Sequence, residues 1–597
     1  MTGIVGGTAA EPTIDAMLDS LYQEPWYAIE RRSLEELGVG VAHHGAKDPQ
    51  SSTIWGTDRV LGAIYGVVSN AAELPWTMEE LLLAIVDSPD VALPKLEGPF
   101  LITAMDRRTG TIRIATDKVG SRPCYYTAES GFFFGSELKP LLERVGSPTV
   151  DRRAVSDLLL LGTVVGEKTL LEGVRNLPPA TYLTYADGAV ETSRYWYPEF
   201  SDDPDEDYVG GWIRRHDSAM GDLAGTVDGR LGLWLSGGID SRVAGASLLR
   251  NGADFAALTY DNGLPGDNSV APRVADSFGV EHRQVTDVTG SADEFIESVE
   301  RCIDCNDAMQ SWAFVPALPF MYHGLAETVD VVMEGGTFLG EGVWSHDIET
   351  GVSPAEMLYQ KRRLLPADEV ASLVPAIDDP RRSLRSEVEH LGEYSNARQL
   401  RDAIQRIYAY LHMRSNVVQR SQVGTRTISD GAFLNHFLEM PVEQRMQTVP
   451  GTNGKIPFGV PPLKLRVTRE LGAGLDEIPY QRTGVAPSRS YWLHTAGFVG
   501  KQLANRLTSD SPGPYLAQYR RSERVRSFVD ELVDDARDRP FFDGDELLAL
   551  RDRIRSGKSD NLTPLAAVTG LERWLQRHVD PLERPAAPQP ASASTRP

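Results

Sequence analysis

Over the first 200 residues, apolar positions alternate with polar ones or form short solid runs. Leu61–Val68, Gly98–Met105, Thr111–Thr116, Pro123–Thr127 and Gly131–Gly135 read this way, punctuated by Gly, Asp and Pro. Such runs, closed by turn residues, predict strands. Between the first two, Met78–Ile85 has helical spacing and predicts a helix. Beyond the acidic run that ends at Asp207 the pattern changes. Leu231–Leu235 predicts a short buried strand, followed by a glycine turn and a helix over Arg242–Leu249. Phe255–Tyr260 predicts a strand, Val270–Phe278 a helix and Val329–Met333 another strand. This alternation with short links argues for a parallel α/β sheet, because parallel neighbours need a crossover between them. Past about Ser353, amphipathic segments such as Ala397–Tyr410 and Val525–Ala536 predict a mostly helical part.

Length alone would allow about four domains at ~150 residues each. The pattern instead divides the 597 residues into a β-rich domain, 1–205, and a larger α/β domain, 206–579. Residues 580–597 are dominated by Pro, Ala and Ser without apolar period and are expected to be a disordered tail. The run Ser201–Asp207 reads as a solvated acidic linker or loop.

Composition narrows the partners. Acidic residues outnumber basic ones 84 to 60, for a net charge of −24, which disfavours nucleic acid and anionic membrane as partners. Three cysteines exclude a disulfide-built scaffold and fit a reducing compartment. The sequence has neither a run long enough to span a bilayer nor the basic and apolar regions of a signal peptide. A cytoplasmic protein is therefore expected.

The sharpest chemical signal is Leu231–Arg242, LGLWLSGGIDSR. A buried strand there runs through Ser236-Gly237-Gly238-Ile239-Asp240-Ser241 into a helix. Two glycines let the backbone turn tightly and approach a ligand. Amides at a helix start, with the positive end of its dipole, make an anion site. Ser236 and Ser241 add hydroxyl donors. Asp240 would repel phosphate unless a divalent cation bridges them, and Mg²⁺ favours carboxylate together with phosphate oxygen. The plain alternative is a glycine turn that only shapes a β–α connection.

The hexapeptide resembles the pyrophosphate loop of the ATP-pyrophosphatase family, whose members include asparagine synthetases, β-lactam synthetases and lasso-peptide cyclases. It lacks the Gly-Lys-Ser/Thr ending of a Walker A loop. The resemblance to glutamine-dependent asparagine synthetases runs along most of the chain. Met1-Thr-Gly-Ile-Val-Gly6 is similar to their start, and Asp117–Tyr126, Phe134–Lys139, Gly173–Pro179 and Arg194–Trp196 match further segments. What this implies is an α/β architecture. An N-terminal αββα sandwich of the N-terminal nucleophile type precedes a parallel-sheet ATP-pyrophosphatase domain with a helical C-terminal part.

The departures from that family are as informative. Its glutaminase nucleophile is an N-terminal cysteine. Thr2 stands there, and Tyr65 stands where an oxyanion-hole Asn is expected. Both losses imply an inactive amidotransferase-like domain, with a Thr2 amidase as the alternative. The loop after Val329–Met333 keeps Gly335 and Gly336 but has no clean match for the family's acid, leaving Glu334 or Glu341 as candidate second Mg²⁺ ligands. The family's Arg-x-Lys segment survives as Arg482 with Gly484 in place of Lys, and Lys464 is an unaligned substitute. The Val-Glu-x-Arg segment keeps Arg426 but has Gly424 in place of Glu.

The resemblance further implies adenine recognition by the backbone of Phe255–Tyr260, taken here as Leu258, with Asp261 at the strand end and Asp267 capping the next helix. Arg242 is read either as a guanidinium near the leaving pyrophosphate or as a helix salt bridge. Cys302-x-x-Cys305 is weak evidence for a metal, and His43-His44 reads as structural. The expected activity is thus ATP- and Mg²⁺-dependent amide formation. Ser236, Gly237, Gly238, Asp240, Ser241, Leu258, Gly335 and Gly336 would bind nucleotide, and Asp240 and Glu341 would bind metal. Arg242, Lys464 and Arg482 would serve catalysis. A small-molecule or peptide carboxylate would be joined to ammonia or an intramolecular amine, in a chain that is a candidate homodimer. A lasso-peptide or specialised-metabolite cyclase and a non-catalytic nucleotide-binding homologue are the alternatives.

Overall fold

Alternation along the N-terminal strands sorts their side chains onto two faces, and the structure uses both. Ile4 faces inward and Val5 outward; Ala63 faces inward and Ile64 outward. The computed structural model describes residues 2–200, 207–260, 265–285, 290–314, 325–334, 351–389, 392, 394–400, 402–403, 420, 423–441, 444, 460–472, 474–508 and 513–583. Within them, one six-stranded sheet has the order Arg175–Asn176, Tyr125–Thr127, Phe133–Gly135, Gly3–Gly7, Leu37–His43, Ala28–Leu34. A second has the order Ala189–Arg194, Thr181–Ala186, Thr111–Thr116, Phe100–Asp106, Val60–Gly66, Ser52–Gly56. Every ladder in both is antiparallel.

Ile4, Val39 and Val41 of the first sheet meet Ala63, Leu101 and Ile114 of the second in one core. The outer face of the second is covered by the helix Met78–Asp87, through Leu81, Leu82 and Ile85. Thr77 and Glu80 form a capping box that fixes where this helix starts. The outer face of the first is covered by the helix Glu11–Ser20, through Ile14, Met17 and Leu18. A Cβ on Gly40 would stand 2.6 Å from Leu18 and one on Gly38 2.6 Å from Ile14, so these glycines let the helix close onto the sheet. The layers are therefore α, β, β, α, as expected.

The third sheet is parallel throughout, in the order His282–Val285, Phe255–Tyr260, Leu231–Trp234, Val331–Met333, Gly424–Arg426. The chain enters at the central strand, works out to one edge, then crosses to the other side. The direction reverses between Leu231–Trp234 and Val331–Met333, which is where open α/β sheets bind ligands. The molecule is thus mixed α/β: two antiparallel sheets, one parallel sheet and many helices.

The C-terminal helices Glu523–Ala536 and Thr563–His578 join Ala292–Asn306 and the outer face of the first sheet in a single core that includes Val5, Leu158, Phe295, Trp312 and Trp574. Two expectations change here. Residues 580–583, expected in the tail, are structured: Asp580–Glu583 is a short helix, and Arg539 holds Glu572 and Asp580 at 2.8 Å each. Residues 584–597 lie outside the described residues, as does most of the predicted helix Ala397–Tyr410. The helix that Asp267 was expected to cap begins earlier, at Pro265, so Asp267 falls in its first turn. Asp207, the last residue of the acidic run, accepts from Gly210 N and caps the helix Tyr208–Ala224. No helix among the described residues is long and apolar enough to cross a membrane.

Several polar contacts join the sandwich to the parallel-sheet part. In one, Glu97 accepts from Gly431 N at 2.8 Å and pairs with Lys118 at 2.5 Å. Burial pushes the Glu97 carboxyl up to about 7, against the pull of Lys118. A raised carboxyl pKa contributes stability that is full below the ordinary Glu value and lost as pH rises through about 7. The Glu97→Gln variant is expected to lose this pH dependence, roughly 3 kcal/mol between pH ~4.5 and ~7. Chemical denaturation of both proteins across that range is the measurement, and equal slopes would refute the assignment.

Candidate active site

Leu231–Trp234 is a short buried strand of Leu, Gly, Leu and Trp, and its chain leaves the sheet at Leu235. Leu235 N donates to Leu258 O at 2.7 Å, and Thr259 Oγ1 donates to Leu235 O at 2.7 Å. These two bonds fix the exit of the loop against the neighbouring strand. The loop itself is internally braced. Ser236 N donates to Ser241 Oγ at 3.0 Å, the two hydroxyls lie 3.1 Å apart, and Gly238 N donates to Ser236 Oγ at 3.1 Å. The helix starts at Ile239, three residues before the predicted Arg242, so Asp240 and Ser241 belong to its first turn. Gly238 is the N-cap and has no side chain to offer the first-turn amides.

The structure revises the role of Arg242. Its side chain is fully buried and donates only inward: to Gly237 O and Gly238 O at 3.1 Å, to Ile478 O and Pro479 O at 2.6 Å, and to Leu475 O at 3.3 Å. All five of these acceptors are backbone carbonyls, so the contacts are not those of a helix salt bridge. Arg242 staples the loop to segment 475–479. Burial pushes its pKa down to about 10. Gln481 N adds a bond to Gly237 O at 3.2 Å.

Lys464, distant in sequence, is brought to the loop. It lies in the helix Pro462–Leu471, and its Nζ reaches Asp240 Oδ2 at 2.5 Å. Lys464 is nearly buried, whereas the Asp240 side chain keeps 37% of its exposure. A carboxylate that open, in the first turn of a helix that follows a glycine loop, fits a cation shared with phosphate oxygens. Arg482 is exposed, with its guanidinium 5.1 Å from the centre of the Phe498 ring. Gly484, standing where the family's lysine is expected, has φ of 72° in a turn closed by Gly484 N donating to Tyr480 O at 2.7 Å. A side chain there would be strained, so the fold itself disfavours Lys at that position.

Leu258 is buried in the central part of the sheet, and its carbonyl is taken by Leu235. Gly335, Gly336, Glu341 and Asp261 lie outside the described residues. Glu334 is described. It ends the strand Val331–Met333 beside the switch point and accepts from Thr427 Oγ1 at 3.0 Å. Among the described residues, no group of three or more His, Cys, Asp or Glu could hold a metal ion. Cys124, Cys302 and Cys305 are buried thiols outside any disulfide.

The absence of a Glu at 424 has a structural cause that the sequence did not reveal. A Cβ on Gly424 would lie 2.3 Å from Asp48 Oδ2. The Asp48 carboxylate, from the sandwich, fills that space and pairs with Arg426 at 2.7 and 3.0 Å. An acid in one domain thus supplies the partner of an Arg in the other.

The position expected for an amidase nucleophile is enclosed. Thr2 is fully buried, and its hydroxyl donates to Ala42 O. Arg420 Nε donates to Thr2 O at 3.3 Å and pairs with Glu137 at 3.3 Å, while its other nitrogens donate to Ser136 O at 2.6 Å and to Cys305 O. Tyr65 is fully buried beside the same guanidinium. Nothing in the sequence marked Arg420 for this place, because apart from Glu137 the partners named here are backbone carbonyls scattered along the chain. Asp117, in the matching segment Asp117–Tyr126, is a turn organiser: it accepts from Val119 N at 2.9 Å, Ser121 N at 3.1 Å and Phe100 N at 3.1 Å.

A family model described as a glutamine amidotransferase domain matches residues 77–196. Asparagine synthetase [glutamine-hydrolyzing] 3 of Bacillus subtilis (strain 168) is 29% identical over 169 residues, covering 27% of this chain and 27% of that protein. The N-terminal region is thus similar to an asparagine synthetase and to a glutamine amidotransferase domain. It matches only about a quarter of the length of that relative. The family model begins beyond Thr2 and Tyr65, so it bears on the sandwich and not on a nucleophile. Among solved structures, glutamine phosphoribosylpyrophosphate amidotransferase from B. subtilis is 14% identical, covering 47% of this chain and 65% of that one, with TM-score 0.24. A second, titled the allosteric regulatory enzyme of purine biosynthesis, is 11% identical, covering 47% and 80%, also with TM-score 0.24. Superpositions that low carry no weight; the α/β assignment rests on the strand orders.

Proposed function

We propose that the chain is an ATP-dependent, AMP-forming ligase that adenylates a carboxylate and passes the acyl group to an amine, without a glutaminase of its own. The observation that carries this reading is Lys464 at 2.5 Å from Asp240, in a Ser-Gly-Gly loop at the sheet's switch point. Ser236, Gly237, Gly238 and Ser241 would cradle the pyrophosphate. Asp240, with Glu334 or Glu341, would hold Mg²⁺, which screens phosphate charge when bound. Lys464 would neutralise charge as the carboxylate oxygen attacks the α-phosphorus and pyrophosphate leaves. The amine then attacks the acyl carbon, and AMP departs with the former carboxylate oxygen. Arg242 serves this chemistry only by holding the loop in shape. Arg482, turned onto Phe498, would act at the rim.

The buried Thr2, with Arg420 on its carbonyl, favours ammonia or a substrate amine over glutamine. Aspartate with ammonia, and a peptide or specialised metabolite closing on its own amine, are the two substrate readings. The test is exchange of labelled pyrophosphate into ATP, screened over aspartate, other amino acids and peptide carboxylates. Exchange with at least one of them is expected, with product formed from ammonia and none from glutamine. Binding of Mg·ATP without exchange on any carboxylate would instead make the chain a nucleotide-binding homologue.

A further inference from the structure

The helix Tyr491–Thr508 has two unlike faces. His494 and Thr495, on the inner one, are buried. His494 ties the helix to the preceding turn, with Nδ1 2.9 Å from Thr483 Oγ1 and Nε2 3.1 Å from Ala486 O. The other face is apolar and open: Trp492, Leu493, Val499 and Leu503 are 58%, 53%, 40% and 55% exposed. Ala496 and Gly500 are exposed with them. Positions 492, 496, 499, 500 and 503 fall in one stripe about 100° wide. Such a stripe ordinarily packs on the protein's own core. Here it points to solvent.

The charges beside it are of one sign. Residues 478–509 hold four basic residues and no acidic one, in a chain of net charge −24. Arg469 reaches the start of the helix, donating to Pro487 O and Arg489 O at 2.8 Å each. Lys501 Nζ donates to Gln481 O at 2.5 Å. Arg469, Arg482, Arg489 and Lys501 are all exposed. Among the described residues none of the four forms an ion pair, although Glu470, Asp476 and Glu477 lie near them in sequence.

Cations left without carboxylates beside an open apolar stripe fit an anionic surface with an apolar interior. A second copy of the chain fits poorly, because a two-fold contact would set the same cations against each other. A peptide partner uses a groove or a sheet edge, whereas exposures of 40–58% are those of a face standing out from the surface. A bilayer interface needs only such a face: Trp and Leu enter the acyl boundary while Arg and Lys meet anionic headgroups. The overall charge opposes a bilayer for the molecule as a whole. Screening confines that repulsion to about 8 Å at physiological salt, so the charges nearest the lipid decide.

We propose that the helix Tyr491–Thr508 docks this protein on membranes that contain anionic lipid. The helix lies flat, with Trp492, Leu493, Val499 and Leu503 toward the acyl chains and Arg469, Arg489 and Lys501 at the headgroups. The proposal does not depend on the ATP reading.

The experiment is co-sedimentation of the full chain with two kinds of vesicle, phosphatidylcholine alone and an equimolar mixture of phosphatidylcholine and phosphatidylglycerol. Binding to the mixed vesicles is expected to be about tenfold tighter or more. Leu503→Glu and Arg489→Glu, both on the surface, should each weaken it by about tenfold or more while leaving the denaturation midpoint in place. Arg108→Glu, the same change of charge on the sandwich, should not. Failure to bind the mixed vesicles, equal binding to both kinds, or binding indifferent to Leu503→Glu or Arg489→Glu would each overturn the proposal. Capture on immobilised poly-L-glutamate with no binding to vesicles would overturn it too, and would give the face to an acidic protein.

Discussion

Replacing Arg426 by leucine is expected to destabilise the protein by about 3–5 kcal/mol, the range for removing one partner of a buried ion pair. Asp48 and Arg426 are 1% and 0% exposed at the side chain. The guanidinium is fully engaged: two bonds to Asp48, Nε to Thr226 Oγ1 at 2.8 Å, and one bond each to Thr226 O and Thr425 O. The loss would leave the Asp48 carboxylate charged and enclosed, with solvation that no other group restores. The pair also ties the sandwich to the edge strand of the parallel sheet, so the two parts should loosen together. Burial alone would push Asp48 up, but Arg426 outweighs it and holds the carboxyl below its ordinary range. A depressed pKa contributes stability that is present above the ordinary Asp value and lost as pH falls through the depressed one. Denaturant titration from pH 7 down to pH 3 should show this loss in the native protein and not in Asp48→Asn. An Arg426→Leu variant as stable as the parent would mean the pair adds nothing.

Lys464→Ala is expected to cut pyrophosphate exchange by about 10²–10³ while leaving the fold's denaturation midpoint nearly unchanged. The argument is positional. The ammonium is held 2.5 Å from a carboxylate that retains over a third of its exposure, and a pair that open contributes little to stability. Its placement beside the first turn of the helix Ile239–Arg250 puts a positive charge where phosphate charge would develop. Asp240→Asn separates the possibilities. If Asp240 holds Mg²⁺, this variant raises the Mg²⁺ concentration needed for half-maximal exchange, whereas Lys464→Ala lowers the maximal rate. Exchange unchanged in Lys464→Ala would reduce Lys464 to a partner for Asp240 alone.

The losses relative to the asparagine synthetase pattern look like decay in one dimension and like rearrangement in three. Gly424 lacks the expected Glu because Asp48 occupies its side-chain space. Gly484 lacks the expected Lys because the turn takes a positive φ there, and a lysine reaches the loop from Pro462–Leu471 instead. At Thr2 and Tyr65 the structure instead places Arg420, which donates to Thr2 O and lies beside Tyr65.

The sequence alone determined what is local or periodic. Alternation placed five of the twelve strands of the sandwich to within two residues, because burying one face of a sheet constrains every second side chain, but it did not pick out the other seven, Gly3–Gly7 and Leu37–His43 among them. The glycine pair and its flanking hydroxyls marked the loop, because only such residues permit that turn and its donors. Tertiary structure decided what depends on residues far apart in the chain. Arg242 could be read from sequence as a charge near phosphate, yet three of its five acceptors are carbonyls more than 230 residues away, at 475, 478 and 479. Backbone carbonyls carry no residue signature, so no spacing could have shown them. The same reason hid Arg420, and it hid the exchange of a missing Glu for Asp48. Three cysteines and a charge of −24 bounded the class of protein; the placement of a few buried arginines decided how its domains are joined.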